Sequence, residues 1–255
     1  MIQETATLTA QHALRGGYLL VSLRAPRVAS LARPGQFVHA RIPGLGDAAL
    51  RRPFSIFDAA GDTLSIVYKR VGRGTEHLAT LAPNTTVDVV GPLGNGFPMP
   101  RAGALPVLVA GGHGVAPLHF LAKRLATPGH VFIGGRTAED VLCAGDFEKL
   151  GWTVHVATED GSLGTRGRVT DALIPWQGKN LATAMEFFAC GPRGMLRALS
   201  EKVDAPLWVS LDNHMVCGVG ACLACVQDVT LPDGGVARLR VCHDGPVFDA
   251  RRVAW

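Results

Sequence analysis

Four thiols offer the most distinctive chemistry in this chain. Cys217, Cys222 and Cys225 are separated by four and then two residues, and Cys242 follows after sixteen more. That is the plant-type spacing for a [2Fe–2S] cluster, in which three thiolates come from one tight loop and a distant fourth closes the cage. The loop must wrap closely enough to aim backbone N–H groups at sulfur, and Gly218, Gly220, Ala221 and Ala224 are small enough to let it. Structural zinc on the same four thiolates is the alternative. Zinc ribbons carry two separated Cys-x2-Cys knuckles, however, and this chain has one such pair. Of the remaining cysteines, Cys143 reads as a packing or surface residue. Cys190 follows an apolar run and opens Cys190-Gly191-Pro192. At the C-terminal end of a parallel strand it would face a ligand crevice; as a buried thiol it would behave as a small hydrophobe.

Three further segments suit anionic ligands. Arg52-Pro53-Phe54-Ser55 sets a guanidinium, a rigid backbone step and a hydroxyl near a strand start, a combination that fits a pyrophosphate and a flavin ring edge as well as an ordinary strand entry. Gly72-Arg73-Gly74-Thr75 opens a short helix, so its free N–H groups can hold phosphate, or Thr75 can simply be the N-cap. Gly111-Gly112-His113-Gly114-Val115-Ala116-Pro117 lies between a buried strand and a helix, the context of a dinucleotide loop without the G-x-G-x-x-G form. Pro117 fits an early helical position, and His113 reads as solvent-facing or packing. Gly134-Gly135-Arg136-Thr137 and Thr158-Glu159-Asp160-Gly161-Ser162 end two later strands and suit ribose or adenine. Arg136 would tolerate a 2′-phosphate, so NAD and NADP both stay open.

The elements that must position these groups change in texture along the chain. Up to about residue 100, short alternating or β-branched stretches (Tyr18–Leu23, Gln36–Ile42, Leu64–Lys69, Thr86–Val90) predict a small closed antiparallel barrel interrupted by one helix over Thr75–Leu81. Gly91–Phe97 reads as a turn-rich linking loop. From Leu105, strands (Leu105–Ala110, His130–Gly134, Thr153–Ala157, Met185–Ala189) alternate with helices, the first over Ala116–Leu125, which predicts a doubly wound parallel sheet. From about Asp212 the chain turns Cys- and Gly-rich, with a hairpin at Pro232–Gly235. The expected domains are 1–100, 101–211 and 212–255.

Composition excludes several function classes. Hydrophobic residues make up 47% and charged residues 18% of 255 residues, a globular balance with a real core. The net charge of +4 is spread without a basic block, which argues against nucleic acid. No apolar run spans a bilayer and no leader is visible, so a cytoplasmic location and metal-binding cysteines are expected.

Taken in order, Arg52–Ser55, Gly72–Thr75, Gly91–Phe97, Gly111–Pro117, Ala189-Cys190-Gly191-Pro192 and the cysteine cluster resemble the ferredoxin–NADP reductase superfamily with a C-terminal [2Fe–2S] module. Cys217–Cys225 and Val241-Cys242-His243-Asp244-Gly245-Pro246-Val247-Phe248 narrow the resemblance to electron-transfer subunits of the heteromeric, NAD-dependent dihydroorotate dehydrogenases. The resemblance covers essentially the whole chain. It implies an FAD barrel, a nicotinamide-binding α/β domain and a cluster domain. FAD would rest on Arg52, Pro53, Phe54, Ser55, Val67, Tyr68, Lys69, Gly74 and Thr75. The nicotinamide nucleotide would rest on Gly111, Gly112, Gly114, Cys190, Gly191 and Pro192, and the cluster on Cys217, Cys222, Cys225 and Cys242. No acid–base catalytic residue is implied. The implied partner is an FMN-containing catalytic subunit in a heterotetramer of two and two, with electrons passing from dihydroorotate to NAD⁺ in pyrimidine biosynthesis. A hydrogenase, a sulfite reductase or a transhydrogenase-like complex is the alternative partner, and a zinc-stabilised nucleotide-binding regulator the alternative class. His113 departs from the usual aliphatic residue, and the loop between Cys225 and Cys242 is longer than in some relatives.

Overall fold

The computed structural model describes residues 1–46 and 50–255. Six strands form the first half: β1 Ile2–Ala13, β2 Tyr18–Arg24, β3 Phe37–Arg41, β4 Arg52–Ala60, β5 Thr63–Lys69 and β6 Thr86–Leu93. They close into an antiparallel barrel in the order β1-β2-β5-β4-β3-β6. Period-two alternation decides which side chains fill it: Ala6 and Leu8, Val21 and Leu23, Val38 and Ala40, Leu64 and Ile66, and Val87 and Val89 all point inward and are buried together. The residues between them on β3, Phe37 and His39, therefore point out of the barrel, and both are buried against the rest of the chain.

Among the described residues two α-helices, not one, interrupt the barrel. α1 (Pro26–Leu31) starts on a proline at its first turn and packs Val28 and Ala29 onto the barrel core. α2 covers Arg73–Leu78, where the sequence predicts Thr75–Leu81. The reason is local: Thr75 is an N3 residue, not the N-cap, and its hydroxyl accepts the Val71 N–H at 2.9 Å and donates to the Gly72 carbonyl. The strand expected to stop at Val90 also runs on, because Gly91 pairs with Ile2 of β1.

The second half is a seven-stranded sheet of β7 Leu105–Gly111, β8 His130–Gly135, β9 Thr153–Thr158, β10 Thr165–Arg166, β11 Met185–Cys190, β12 Leu207–Ser210 and β15 Val247–Asp249. Its order is β10-β9-β8-β7-β11-β12-β15, and every pairing is parallel except β12 with β15. The winding direction reverses between β7 and β11, so the crevice at their C-terminal ends is the natural ligand position. Between β7 and β8 runs α3 (Val115–Arg124), buried from Val115 to Ala122. Its first eight residues are buried all round because the sheet covers one side and the barrel the other: Phe120 joins the barrel core and the His119 ring stacks on Phe57 at 4.0 Å. Helices α4 (Ala144–Lys149), α5 (Val169–Lys179) and α6 (Arg193–Lys202) complete the α/β layers.

The cysteine-rich segment carries only the hairpin β13 Val226–Thr230 and β14 Val236–Arg240 before β15 returns it to the sheet. No helix of the described residues is long and apolar enough to cross a membrane.

Candidate functional site

The cysteine loop is built so that sulfur faces backbone. Gly218 has φ +70, and a β-carbon there would lie 2.5 Å from Nδ1 of His39 on the barrel, so only glycine lets the loop seat against that ring. The Ala221 N–H donates to Cys217 Sγ at 3.3 Å, and the Cys242 N–H to Cys225 Sγ at 3.4 Å. Burial opposes ionisation of Cys217, but the amides of Val219, Cys222 and Ala221 overcome it and bring that thiol below its ordinary range. Burial and the neighbouring Cys225 push Cys242 the other way. Among the described residues Cys217 feels Cys222, and Cys242 feels both Cys225 and Cys217, so the four thiols act as one electrostatic cluster. N–H groups aimed at sulfur, from Ala221 and Cys242, suit an iron–sulfur group.

Residues the sequence reading missed hold Cys242 in place. Arg240 grips Asp244 with two N–H groups, at 2.9 and 3.0 Å, and donates to the Gly220 carbonyl at 3.2 Å. That guanidinium holds the Asp244 carboxyl well below the usual carboxylate range. The loop after β6 is more than a linker. Asn95 donates from its side chain to the His243 and Asp244 carbonyls and from its backbone to the Gly245 carbonyl, tying the Cys242 turn to the barrel.

Between barrel and sheet lies a cleft of about 770 Å³. From the barrel it is lined by Pro53, Phe54, Ser55, Val67, Tyr68, Lys69 and Thr75, and from the sheet by Gly111, Gly112 and Pro192. Seven of the nine barrel positions singled out in the sequence thus share one wall. Arg52 and Gly74 stand behind it, with the Arg52 guanidinium laid across Gly74 and bonded to the Leu50 carbonyl. Three sheet positions also lie behind the surface. A β-carbon at Gly114 would come within 2.0 Å of the Cys190 carbonyl oxygen, so Gly114 lets the β7–α3 turn pack on the end of β11. Gly191 packs on Gly111 and Met195, and the Cys190 thiol is buried beside Ser210, where burial pushes it up to about 12. Of the two readings of Cys190, the small buried hydrophobe describes its surroundings. Cys143 is likewise packed on the sheet core, and burial pushes its thiol up to about 12.

The cleft is closed at one side by charge. The Lys69 ammonium, 4.6 Å above the Tyr18 ring, pairs with Asp140 at 3.3 Å, and Arg136 reaches the same carboxylate from the other side at 3.3 Å. Burial opposes ionisation of Asp140, but these two cations hold its pKa below the ordinary value. His113 is exposed, as the solvent-facing reading expects; its Nε2 lies 3.2 Å from the equally exposed Asp212 carboxylate, and both residues line the cleft. Glu159 and Arg168 line it as well. Tyr18, Asp140, Arg168 and Asp212 carry no local motif; their signal is long-range pairing, such as the register that sets Tyr18 opposite Lys69.

Comparison with known proteins agrees with this geometry. Residues 212–254 match the family model described as the iron–sulfur cluster binding domain of dihydroorotate dehydrogenase B, and residues 108–201 match an oxidoreductase NAD-binding domain. The dihydroorotate dehydrogenase B (NAD(+)) electron transfer subunit of Bacillus caldolyticus is 42% identical over 98% of each chain, and that of Enterococcus faecalis 37% over 98% of each. Among solved structures, an NADH-dependent reduced ferredoxin–NADP oxidoreductase superposes with a TM-score of 0.86 at 30% identity, over 99% of this chain and 90% of the other. A Neisseria gonorrhoeae ferredoxin NADP⁺ reductase shares the fold at 16% identity, with a TM-score of 0.65 over 78% of this chain and 89% of the other. With a cysteine loop docked to a barrel, a cleft at the sheet's switch point and full-length relatives of this kind, the chain belongs to the family of dihydroorotate dehydrogenase B (NAD(+)) electron transfer subunits.

Proposed function

We propose that this chain is the electron-carrying half of an NAD-linked dihydroorotate-oxidising complex in the cytoplasm, working in pyrimidine biosynthesis beside an FMN-bearing catalytic subunit in a two-plus-two heterotetramer. The observation that carries the reading is the cleft itself, whose barrel wall holds the flavin-type residues and whose sheet wall holds the dinucleotide turn. When bound, a [2Fe–2S] cluster supplies one-electron transfer, and FAD links it to two-electron hydride exchange with NAD. The domain units are 1–100, 101–211 and 212–255.

The chain's own residues bind and orient. Cys217, Cys222, Cys225 and Cys242 hold the irons. Pro53, Phe54 and Ser55, with Val67, Tyr68, Lys69 and Thr75, flank the flavin, while Arg52 and Gly74 fix the wall from behind. Gly111, Gly112 and Pro192 bring the nicotinamide to the flavin, and Gly114, Cys190 and Gly191 form the packed floor beneath them. Glu159 in the cleft favours a ribose 2′-hydroxyl over a 2′-phosphate.

The test is an anaerobic absorbance spectrum with iron, zinc and flavin quantified, before and after NADH. Two irons and one FAD per chain, bleached by NADH, support the reading; zinc without flavin would overturn it. The 0.86 superposition on a ferredoxin-linked enzyme favours a second reading in which another partner takes the electrons. NADH formation from dihydroorotate on adding the catalytic subunit separates the two.

A further inference from the structure

His39 stands at the junction of the two halves of the proposed electron path. It lies on β3 with its side chain directed out of the barrel, and it is 1% exposed. On one side its strand pairs with Pro53, which lines the cleft. On the other side Nδ1 faces Gly218, the residue after Cys217, closely enough that a β-carbon there would be 2.5 Å away. The ring lies against the Cys217 and Arg51 backbone, but neither ring nitrogen completes a hydrogen bond of full geometry among the described residues. An imidazole carries at least one N–H in every protonation state, and a buried donor left unpaired is costly. A phenylalanine or leucine would fill the same space without that cost. A donor kept here needs an acceptor on the cysteine loop's side of the ring.

We propose that His39 is a positioning residue for the iron–sulfur group: its N–H donates to sulfur on the inner side of the Cys217–Cys225 loop, and so sets the group's reduction potential from the barrel side. The inference rests on the cofactor reading given above. Added electron density on sulfur makes it a better acceptor, so an N–H placed there stabilises the reduced form more than the oxidised one and raises the potential. The ring gains and loses neither electron nor proton in this role. Its position between the loop and Pro53 gives the flavin wall a direct mechanical hold on the cysteine loop.

The test uses the full chain loaded with iron, sulfide and FAD, read by iron content, the electron paramagnetic resonance signal of the reduced cluster and its midpoint potential. His39→Leu is expected to keep its iron and shift the potential to a more negative value, while His39→Gln, which retains an N–H donor, shifts it less. Histidine labelled with ¹⁵N should show a nitrogen coupling to the reduced cluster that His39→Gln removes and His243→Gln leaves in place. An unchanged potential in fully loaded His39→Leu, or no coupling lost in His39→Gln, overturns the inference. If His39→Leu does not fold, the coupling decides alone. A wild-type chain without iron would instead sink the cofactor reading, which keeps the two failures apart.

Discussion

The Lys69 ammonium lies 3.3 Å from the Asp140 carboxylate and so ties the last residue of a barrel strand to the turn that follows the second strand of the sheet. Both side chains are largely withdrawn from solvent, with exposures of 29% and 12%. Asp140→Asn leaves Lys69 and Arg136 facing a neutral group. The expected loss lies between the ~1 kcal/mol of an exposed pair and the ~3 kcal/mol of a buried pair broken on one side. Urea unfolding monitored by tryptophan fluorescence measures it; a loss below a few tenths of a kcal/mol would show the clamp to be ornamental.

The same pair dictates a pH response. The folded-state pKa of Asp140 is depressed, so its contribution is complete above the unfolded value of ~4 and is lost as pH falls through the lower folded value. Stability curves of the wild type and Asp140→Asn should therefore lie apart at pH 6 and converge as the solution is acidified. Parallel curves down to pH 3 would contradict this.

Gly114 and Gly178 make a matched contrast. A β-carbon at Gly114 meets the Cys190 carbonyl oxygen at 2.0 Å, backbone against backbone, whereas Gly178 in α5 has open space around it. Gly114→Ala should cost more than ~2 kcal/mol, in the range of overpacked cores, and weaken NADH binding by displacing the β7–α3 turn. Gly178→Ala should be neutral or stabilise by up to ~1 kcal/mol. Thermal melts and NADH titration check both.

Cys222 is the exposed member of the four candidate ligands, and nothing in the barrel core depends on it. Cys222→Ala should abolish iron binding while leaving FAD bound. Wild-type iron in the purified variant would remove Cys222 from the ligand set.

Cys190 should be chemically silent. With its pKa pushed up to about 12, only about one thiol in ten thousand is ionised at pH 8, and the residue is closed off from solvent. Mass spectrometry after iodoacetamide treatment should find it unmodified in the folded chain and modified in urea. Rapid native labelling would mean the end of β11 opens to the cleft.

What was legible in the sequence was what neighbouring residues decide together. The cysteine spacing, the buried run of β7 with its glycine turn and the Pro232–Gly235 hairpin are local patterns, and the structure has each element where the pattern predicts it. β1 escaped notice because its inward residues include small Ala6 among threonines and glutamines, a weak alternation that only barrel closure rewards. β15 has three residues, too few for any period. The start of α2 was displaced because Thr75 reads equally well as a cap and as a residue reaching back to one. In the site, Arg52–Ser55 and Gly72–Thr75 stood out as local patterns, whereas Val67–Lys69 came only with the family resemblance, because nothing in an ordinary strand sequence marks a ligand wall. The Lys69–Asp140 pair, 71 residues apart, and the seat of Gly218 against His39 exist only after folding.

The return of β15 to the edge of the sheet has a kinetic meaning. Tunnelling rates fall steeply with each ångström between donor and acceptor, so a cofactor on a swinging arm would conduct in bursts. Here the chain leaves the sheet after β12, forms the cysteine loop, and is stitched back beside β12 through Val247–Asp249. The loop is thus a closed stitch rather than a tether. Both of its ends are held by the sheet, and Asn95 ties the Cys242 turn to the barrel, so the segment is anchored at three places rather than one.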